Sequence, residues 1–180
     1  MRVIAGTLGG RRLRAPRGSA TRPTSDRVRE ALFSLLGEVS GARVLDLFAG
    51  TGALGIEALS RGARGAVFIE RDARALRALR ANLASLELGG DRAEVRQAQV
   101  PAALRSARER AETYDLVFID PPYSRASALG HGLATLLPPL LETEARIVVE
   151  SDRRAPLQLQ ARLERERSYG DTLITIYRQP

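Results

Sequence analysis

The sequence predicts an α/β protein: an open, mostly parallel sheet wound with helices, ending in an antiparallel hairpin at the sheet edge and preceded by a small basic β-hairpin. Three observations lead there. From residue 43 onward, short apolar runs of strand length alternate with amphipathic stretches of helix length, the pattern of a doubly wound sheet. A glycine turn, Gly50-Thr-Gly-Ala-Leu-Gly55, joins the first of those runs to a helix. The last two runs, residues 157–166 and 172–178, have only a short connection around Tyr169-Gly170-Asp171, which is hairpin spacing rather than a helical crossover. With 180 residues the chain has enough for one domain with a full core. We divide it into residues 1–24, a basic hairpin and linker, and residues 25–180, the main domain.

In chain order, Arg2 to Leu8 and Arg11 to Ala15 flank Gly9-Gly10, a pair suited to the positive φ angles of a two-residue turn. A lone ribbon is marginal in water, so this hairpin is expected to pack on the main domain or on a partner. Gly18 to Pro23 reads as a link. Ser25 then caps a helix running to Leu36, with apolar positions at Val28, Leu32, Leu35 and Leu36 and a stop at Gly37. A strand over 43–48, a helix over 53–61, a strand over 66–70 and a helix over 72–88, stopped by Gly89-Gly90, come next. They are followed by a weak strand over 94–97, a helix over 101–112, a strand over 115–119, a helical segment over 127–141 and a strand over 146–150.

Composition removes several chemistries. The chain has no cysteine, which excludes disulfides, thiolate metal sites and a cysteine nucleophile; its single histidine, His131, weighs against a zinc centre or a serine triad, and no metal is expected. No apolar run has the length of a membrane span and Met1 to Gly6 lacks a signal-peptide apolar region, so a cytoplasmic protein, away from membranes, is expected. The formal charge is +7, and it is localised. Residues 1–29 hold eight arginines against one acid, Asp26, whereas the rest of the chain balances twenty arginines with twenty acids. An excess confined to one end points to a polyanion docking there.

The glycine turn is flanked by acids. Glu70 lies twenty residues after Gly50 at the end of the next strand, where a carboxylate grips two ribose hydroxyls. Taken alone this spacing suits NAD. Asp46, however, puts a carboxylate just before the turn, which repels a pyrophosphate and attracts an ammonium group. S-adenosyl-L-methionine satisfies both acids. The second chemical corner is Asp120-Pro121-Pro122-Tyr123, at the end of the buried strand over 115–119. Two prolines hold the backbone stiff and supply no N–H, so Asp120 and the Pro121 carbonyl would each accept one hydrogen of an exocyclic NH2 while Tyr123 stacks on the ring.

Residues 45–63 with Phe68-Ile-Glu-Arg-Asp72 and Asp120 to Tyr123 look like a class I methyltransferase, Rossmann-like in fold, acting on an exocyclic amine. Adding Arg22-Pro-Thr-Ser-Asp-Arg-Val-Arg-Glu-Ala-Leu-Phe33, the basic hairpin, Val148-Val-Glu-Ser151 and residues 169–177, the chain resembles the RsmD family of small-subunit (16S) ribosomal RNA guanine-N2 methyltransferases over nearly its whole length. The resemblance implies that Asp46, Phe48, Gly50 and Gly52 shape the methionine end of the cofactor pocket, that Glu70 holds the ribose, and that Arg71 flanks the adenine. It implies that Asp120 to Tyr123 hold the target base and that the substrate is 16S ribosomal RNA, free or within a small subunit, met by a monomer. Arg11, Arg12, Arg14 and Arg22 are the expected phosphate contacts. One departure stands out: where the family often has Asp or Asn followed by Ala near the adenine amine, this chain reads Gln97-Ala-Gln-Val100, leaving the amide of Gln99 as the acceptor. Two alternatives remain open on the residues alone, a DNA adenine or cytosine amino-methyltransferase and a non-catalytic RNA-binding assembly factor.

Overall fold

The computed structural model describes residues 1–15, 25–122 and 126–179. Seven strands, β1 (Arg43–Leu47), β2 (Gly65–Glu70), β3 (Ala93–Gln97), β4 (Tyr114–Ile119), β5 (Leu141–Asp152), β6 (Arg162–Tyr169) and β7 (Thr172–Arg178), form one sheet in the order β3-β2-β1-β4-β5-β7-β6. Neighbours from β3 through β5 run parallel, and β7 is antiparallel to both β5 and β6. The expected sheet class is therefore what forms. The chain winds outward through β2 and β3, then returns to the other side of β1 with β4. That reversal places the topological switch point of the sheet between the carboxyl ends of β1 and β4, where open α/β sheets bind ligands.

Among the described residues five α-helices cover the faces: α1 (Asp26–Leu36), α2 (Ala53–Ser60), α3 (Ala73–Ser85), α4 (Val100–Glu109) and α5 (Ala126–Leu136). The two-residue period of the strands sorts the core. Val44, Phe68, Leu116, Phe118, Val148 and Ile174 pack against α1, α2 and α3, while Leu45, Ile69, Val117, Ile119, Ile147 and Val149 pack against α4 and α5. Phe33 of α1 meets Phe118 of β4 with ring centroids 5.7 Å apart and planes tilted, a favourable aromatic geometry. On α3, Leu76, Leu79, Leu83 and the following Leu86 are buried as their spacing predicts, and Arg71, Arg74, Arg77 and Arg80 are exposed.

Several boundaries differ from expectation for identifiable reasons. The helix over 72–88 ends at Ser85, because Glu87 takes a left-handed φ of 57° before Gly89-Gly90 is reached. The segment after α5 breaks at Pro138-Pro139 into a short 3-10 turn, and β5 begins at Leu141, earlier than the strand over 146–150. Residues 157–161 are not strand: Leu157 is buried against the α4 and α5 face, and β6 starts at Arg162. In α1 the buried residues are Arg29, Leu32, Phe33 and Leu36, whereas Val28 and Leu35 are half-buried.

The N-terminal arm is tied down by side chains of the main domain more than by its own ladder. Arg2 and Arg12 form a single antiparallel bridge, and the turn spans Gly6 to Gly10, with left-handed φ at Gly6 and Gly10 rather than at a Gly9-Gly10 pair. Four of the bonds holding the arm involve two side chains of α2. Glu57, wholly buried, accepts from the Ile4 N–H at 2.7 Å and the Ala5 N–H at 3.0 Å. The Ser60 hydroxyl accepts from the Leu8 N–H at 2.9 Å and donates to the Ala5 carbonyl at 2.5 Å. Val3 and Leu13 complete the contact by burying themselves in the core.

Gly6 sits where that docking is tightest. Its φ is +81°, and a Cβ there would lie 1.9 Å from the Ser60 carbonyl oxygen. Gly6→Ala is expected to lift the arm from α2 and cost about 1–3 kcal/mol. Amide hydrogen exchange checks it: Ile4, Ala5 and Leu8 should lose protection while β1 and β4 keep theirs, and unchanged protection at all three would refute it.

Candidate functional site

β1 is buried along almost its whole length and ends at Leu47, after which the backbone turns abruptly. Phe48 adopts a left-handed φ of 62°, a conformation that costs a residue with a side chain of order 1–3 kcal/mol and clusters at ligand sites. Gly50 and Gly52 follow at φ 56° and 81°, and Gly52 caps α2 in the left-handed region. Close packing also demands glycine here: a Cβ on Gly52 would lie 2.3 Å from the Leu79 Cδ1, and one on Gly55 would lie 2.3 Å from the Phe68 ring. At Gly50, by contrast, a Cβ would meet only the Phe48 carbonyl oxygen at 3.9 Å, so the backbone there faces open space. That is the cradle a ligand needs.

Both flanking acids converge on this turn through backbone N–H groups. Asp46 is buried on the α1 to α3 side of the sheet, and its Oδ2 accepts from the Gly55 N–H at 2.9 Å. Glu70 spans two loops: Oε2 accepts from the Gly50 N–H at 2.9 Å, while Oε1 accepts from the Arg71 N–H at 2.7 Å and the Asp72 N–H at 2.8 Å. A carboxylate oxygen has two lone pairs, so Oε2 retains acceptor capacity for a hydroxyl. Arg71 is exposed beside it, and Asp72 caps α3 by accepting from Arg74 and Ala75. The β3 to α4 connection joins the same edge, since the Ala98 N–H donates to the Glu70 carbonyl at 3.1 Å. Gln99 follows directly as the exposed N-cap residue of α4, making no side-chain cap bond.

Burial dominates the electrostatics of Asp46. Removal from water raises its pKa to about 7, the nearby charge of Glu70 adds to the rise, and the Gly55 N–H opposes it. A carboxylate buried beside the glycine turn attracts a cation when ionised, and Glu70, whose oxygens could accept from a diol, stands one strand away. These donors and acceptors fit an adenosyl amino acid carrying an ammonium, and they disfavour a pyrophosphate.

The Asp120-Pro121-Pro122 corner lies at the same edge. Ile119 is the last residue of β4 and pairs with Leu47 of β1, so Asp120 leaves the sheet beside Phe48. Asp120 is half-buried, Pro121 is buried and Pro122 is exposed. Tyr123 and Arg22 lie outside the described residues. Next to β4, Val149 of β5 pairs with Ile119, which sets the buried Glu150 and Ser151 on Asp120's other side.

Of the expected phosphate contacts, Arg11, Arg12 and Arg14 are all exposed on the arm, and Arg11 also donates to the Ser85 carbonyl at 2.7 Å. The sequence reading missed Asn82. This wholly buried side chain accepts from the Arg14 N–H at 2.7 Å and donates to the Arg14 carbonyl at 3.1 Å and the Thr51 carbonyl at 3.0 Å. A polar residue on the same α3 face as Leu79 and Leu83 was its only sequence signal. Arg29 was missed too: fully buried, it donates through Nη2 to the Arg2 carbonyl at 2.5 Å and to Asp26 at 2.7 Å. Its Nε and Nη1 have no hydrogen-bond partner among the described residues, and burial lowers its pKa against the pull of Asp26, Glu57 and Glu150. Among the described residues no helix is long and apolar enough to cross a membrane.

Comparison with known proteins bears on this site as a whole. The profile of the family described as conserved hypothetical protein 95 matches residues 1–178. YlbH of Bacillus subtilis (strain 168) is 40% identical over 185 residues, covering 99% of each chain. The Escherichia coli (strain K12) protein named ribosomal RNA small subunit methyltransferase D is 43% identical over 126 residues, 69% of this chain and 61% of that one. Among solved structures, yhhF from Escherichia coli superposes with a TM-score of 0.85 at 38% identity, covering 99% of this chain and 97% of that one.

Proposed function

The chain belongs to the family described as conserved hypothetical protein 95, the RsmD family, and from that premise we propose that it is an S-adenosylmethionine-dependent methyltransferase modifying the exocyclic N2 amine of a guanine in 16S ribosomal RNA. The observation that carries this reading is the meeting, at one sheet edge, of the acid-flanked glycine turn with Asp120 and Pro121. Asp46, Phe48, Gly50 and Gly52 receive the methionine end, Glu70 the ribose, and Arg71 and Gln99 border the adenine. Bound there, the cofactor would supply a sulfonium methyl group to the amine, with the carbon–sulfur electron pair left on sulfur.

The chain's own residues make the amine reactive. The N2 lone pair of guanine is delocalised into the ring, so it attacks poorly until its geometry bends toward tetrahedral. Asp120 and the Pro121 carbonyl accept the two N2 hydrogens and favour that bent, partly positive nitrogen, which is electrostatic stabilisation joined to positioning. A strong base is unnecessary, because the methylated nitrogen is cationic and acidic, and its proton passes to Asp120 or water. The base enters unstacked, from a loop or by flipping, onto Tyr123. Arginines of the arm hold the flanking phosphates.

The raised pKa of Asp46 makes cofactor affinity pH-dependent. The ammonium binds the ionised carboxylate, so affinity for S-adenosylhomocysteine is expected to rise as pH climbs to about 7 and to level off above it. Asp46→Asn should weaken binding and flatten that rise. The bare fold should respond oppositely. Asp46 ionises near its ordinary value of 3.8 when unfolded but only at about 7 when folded, so this group's contribution to stability falls across that window as pH rises. Calorimetric titration from pH 5.5 to 8 measures the binding limb, and a flat wild-type profile would remove Asp46 from the ammonium site.

The substrate assignment is tested by incubating the protein and labelled cofactor with 16S ribosomal RNA, assembled small subunits or duplex DNA, then mapping the modified nucleoside by mass spectrometry. N2-methylguanosine in RNA or subunits is the expected product. Methylated adenine or cytosine, or label in DNA alone, would overturn it.

A further inference from the structure

We propose that Asn82 is a positioning residue that couples the N-terminal arm to the cofactor turn, so that RNA docking and cofactor docking each strengthen the other. The inference rests on the reading of the arm as RNA-binding and of the glycine turn as cofactor-binding. Its observation is separate: one buried side-chain amide bonds to both segments. Oδ1 accepts from the Arg14 N–H at 2.7 Å, and Nδ2 donates to the Arg14 carbonyl at 3.1 Å and to the Thr51 carbonyl at 3.0 Å. Both amide hydrogens are thus used, one on each segment, and the planar group reads the N–H and C=O of Arg14 as a neighbouring strand would.

Thr51 lies between Gly50 and Gly52, and the Gly50 N–H is held by Glu70. A continuous path of hydrogen bonds and backbone therefore runs from Arg14 through Asn82 and Thr51 to the residue expected to hold the ribose. Because the Asn82 side chain is wholly buried and holds both segments at once, shifting Arg14 costs one or more of these bonds unless Thr51 moves as well. The Arg11 guanidinium on the Ser85 carbonyl fastens the arm to the last turn of the same helix. Phosphates gripped by Arg12 and Arg14 immobilise the arm's backbone, Asn82 passes that order to the turn, and the cofactor then meets a turn already ordered. Linkage makes the effect reciprocal: the cofactor tightens RNA by the same factor.

The test measures coupling directly, as contiguity alone does not establish it. S-adenosylhomocysteine affinity is determined by calorimetry with and without saturating small-subunit RNA. For the wild type RNA should tighten it by roughly tenfold, within the range usual for allosteric coupling. For Asn82→Ala the factor should collapse toward one. A second measurement on the wild type alone guards against a variant that does not fold: RNA should slow amide hydrogen exchange at Gly50 and Gly52. Wild-type affinity that RNA leaves unchanged, or a factor undiminished in folded Asn82→Ala, would overturn the proposal while leaving the methyltransferase reading intact. A wild-type chain that binds neither S-adenosylhomocysteine nor RNA would overturn both. If Asn82→Ala does not fold, unchanged exchange at Gly50 and Gly52 decides against the coupling.

Discussion

Asp120→Ala is expected to lower methyl transfer by roughly 10²–10³-fold, the range found when one preorganised electrostatic partner of a transition state is removed. Affinity for S-adenosylhomocysteine should stay nearly unchanged. The asymmetry follows from where the residue sits. Asp120 leaves β4 beside Phe48, whereas the groups that fit the cofactor belong to the β1 and β2 ends, where Asp46 holds Gly55 and Glu70 holds Gly50. In the proposed mechanism its charge acts on the amine as positive character develops on nitrogen, so the loss should appear in kcat more than in substrate affinity. Asp120→Asn keeps one acceptor oxygen without the charge and should fall between wild type and Asp120→Ala. Single-turnover transfer and calorimetric titration on the same folded preparation separate the two effects. Parallel loss of transfer and cofactor affinity would place Asp120 in the cofactor pocket instead.

What the sequence revealed about this site, and what it concealed, follows from the range of the interactions involved. Asp46, Gly50, Gly52 and Glu70 were recognisable because strand period, turn chemistry and spacing are local properties. The partners of the two acids were not: both were read as facing a ligand, and in the structure they also grip the Gly55 and Gly50 N–H groups. Distant pairings have no sequence signature of their own. Glu57 binding the Ile4 and Ala5 N–H groups is one case, and Asn82 binding Arg14 and Thr51 is another. Arg29 was hidden by the rule that charged positions of an amphipathic helix face water; here it is fully buried against Arg2 and Asp26. The order of the last strands had a signal that hairpin spacing alone does not use. Thr172–Arg178 is apolar through its middle and buried on both faces, as an inner strand must be, while Arg162–Tyr169 is mostly charged and exposed. Charged side chains on an outermost strand also discourage pairing with another chain.

Replacing Arg11, Arg12 and Arg14 together with glutamine is expected to weaken RNA binding by about 100-fold at 0.1 M salt and to lower the slope of log affinity against log salt by about 2. The estimate follows from counterion release: each single-strand phosphate contact contributes about 0.7 to the slope, and three such contacts account for both figures. The arm's geometry supports counting all three. Arg12 and Arg14 are exposed, and Arg11 spends one donor on the Ser85 carbonyl, which leaves four of its guanidinium's five N–H groups for phosphate. Docking of the arm depends chiefly on backbone groups, those of Ile4, Ala5, Leu8 and Arg14, so glutamine should leave its seat on α2 and α3 in place. S-adenosylhomocysteine affinity in the absence of RNA should then match wild type, separating lost phosphate contacts from a displaced arm. A salt titration of the triple variant beside the wild type reads the slope directly. Equal slopes would mean that RNA docks elsewhere on the protein and that the charge gathered in residues 1–29 serves another partner.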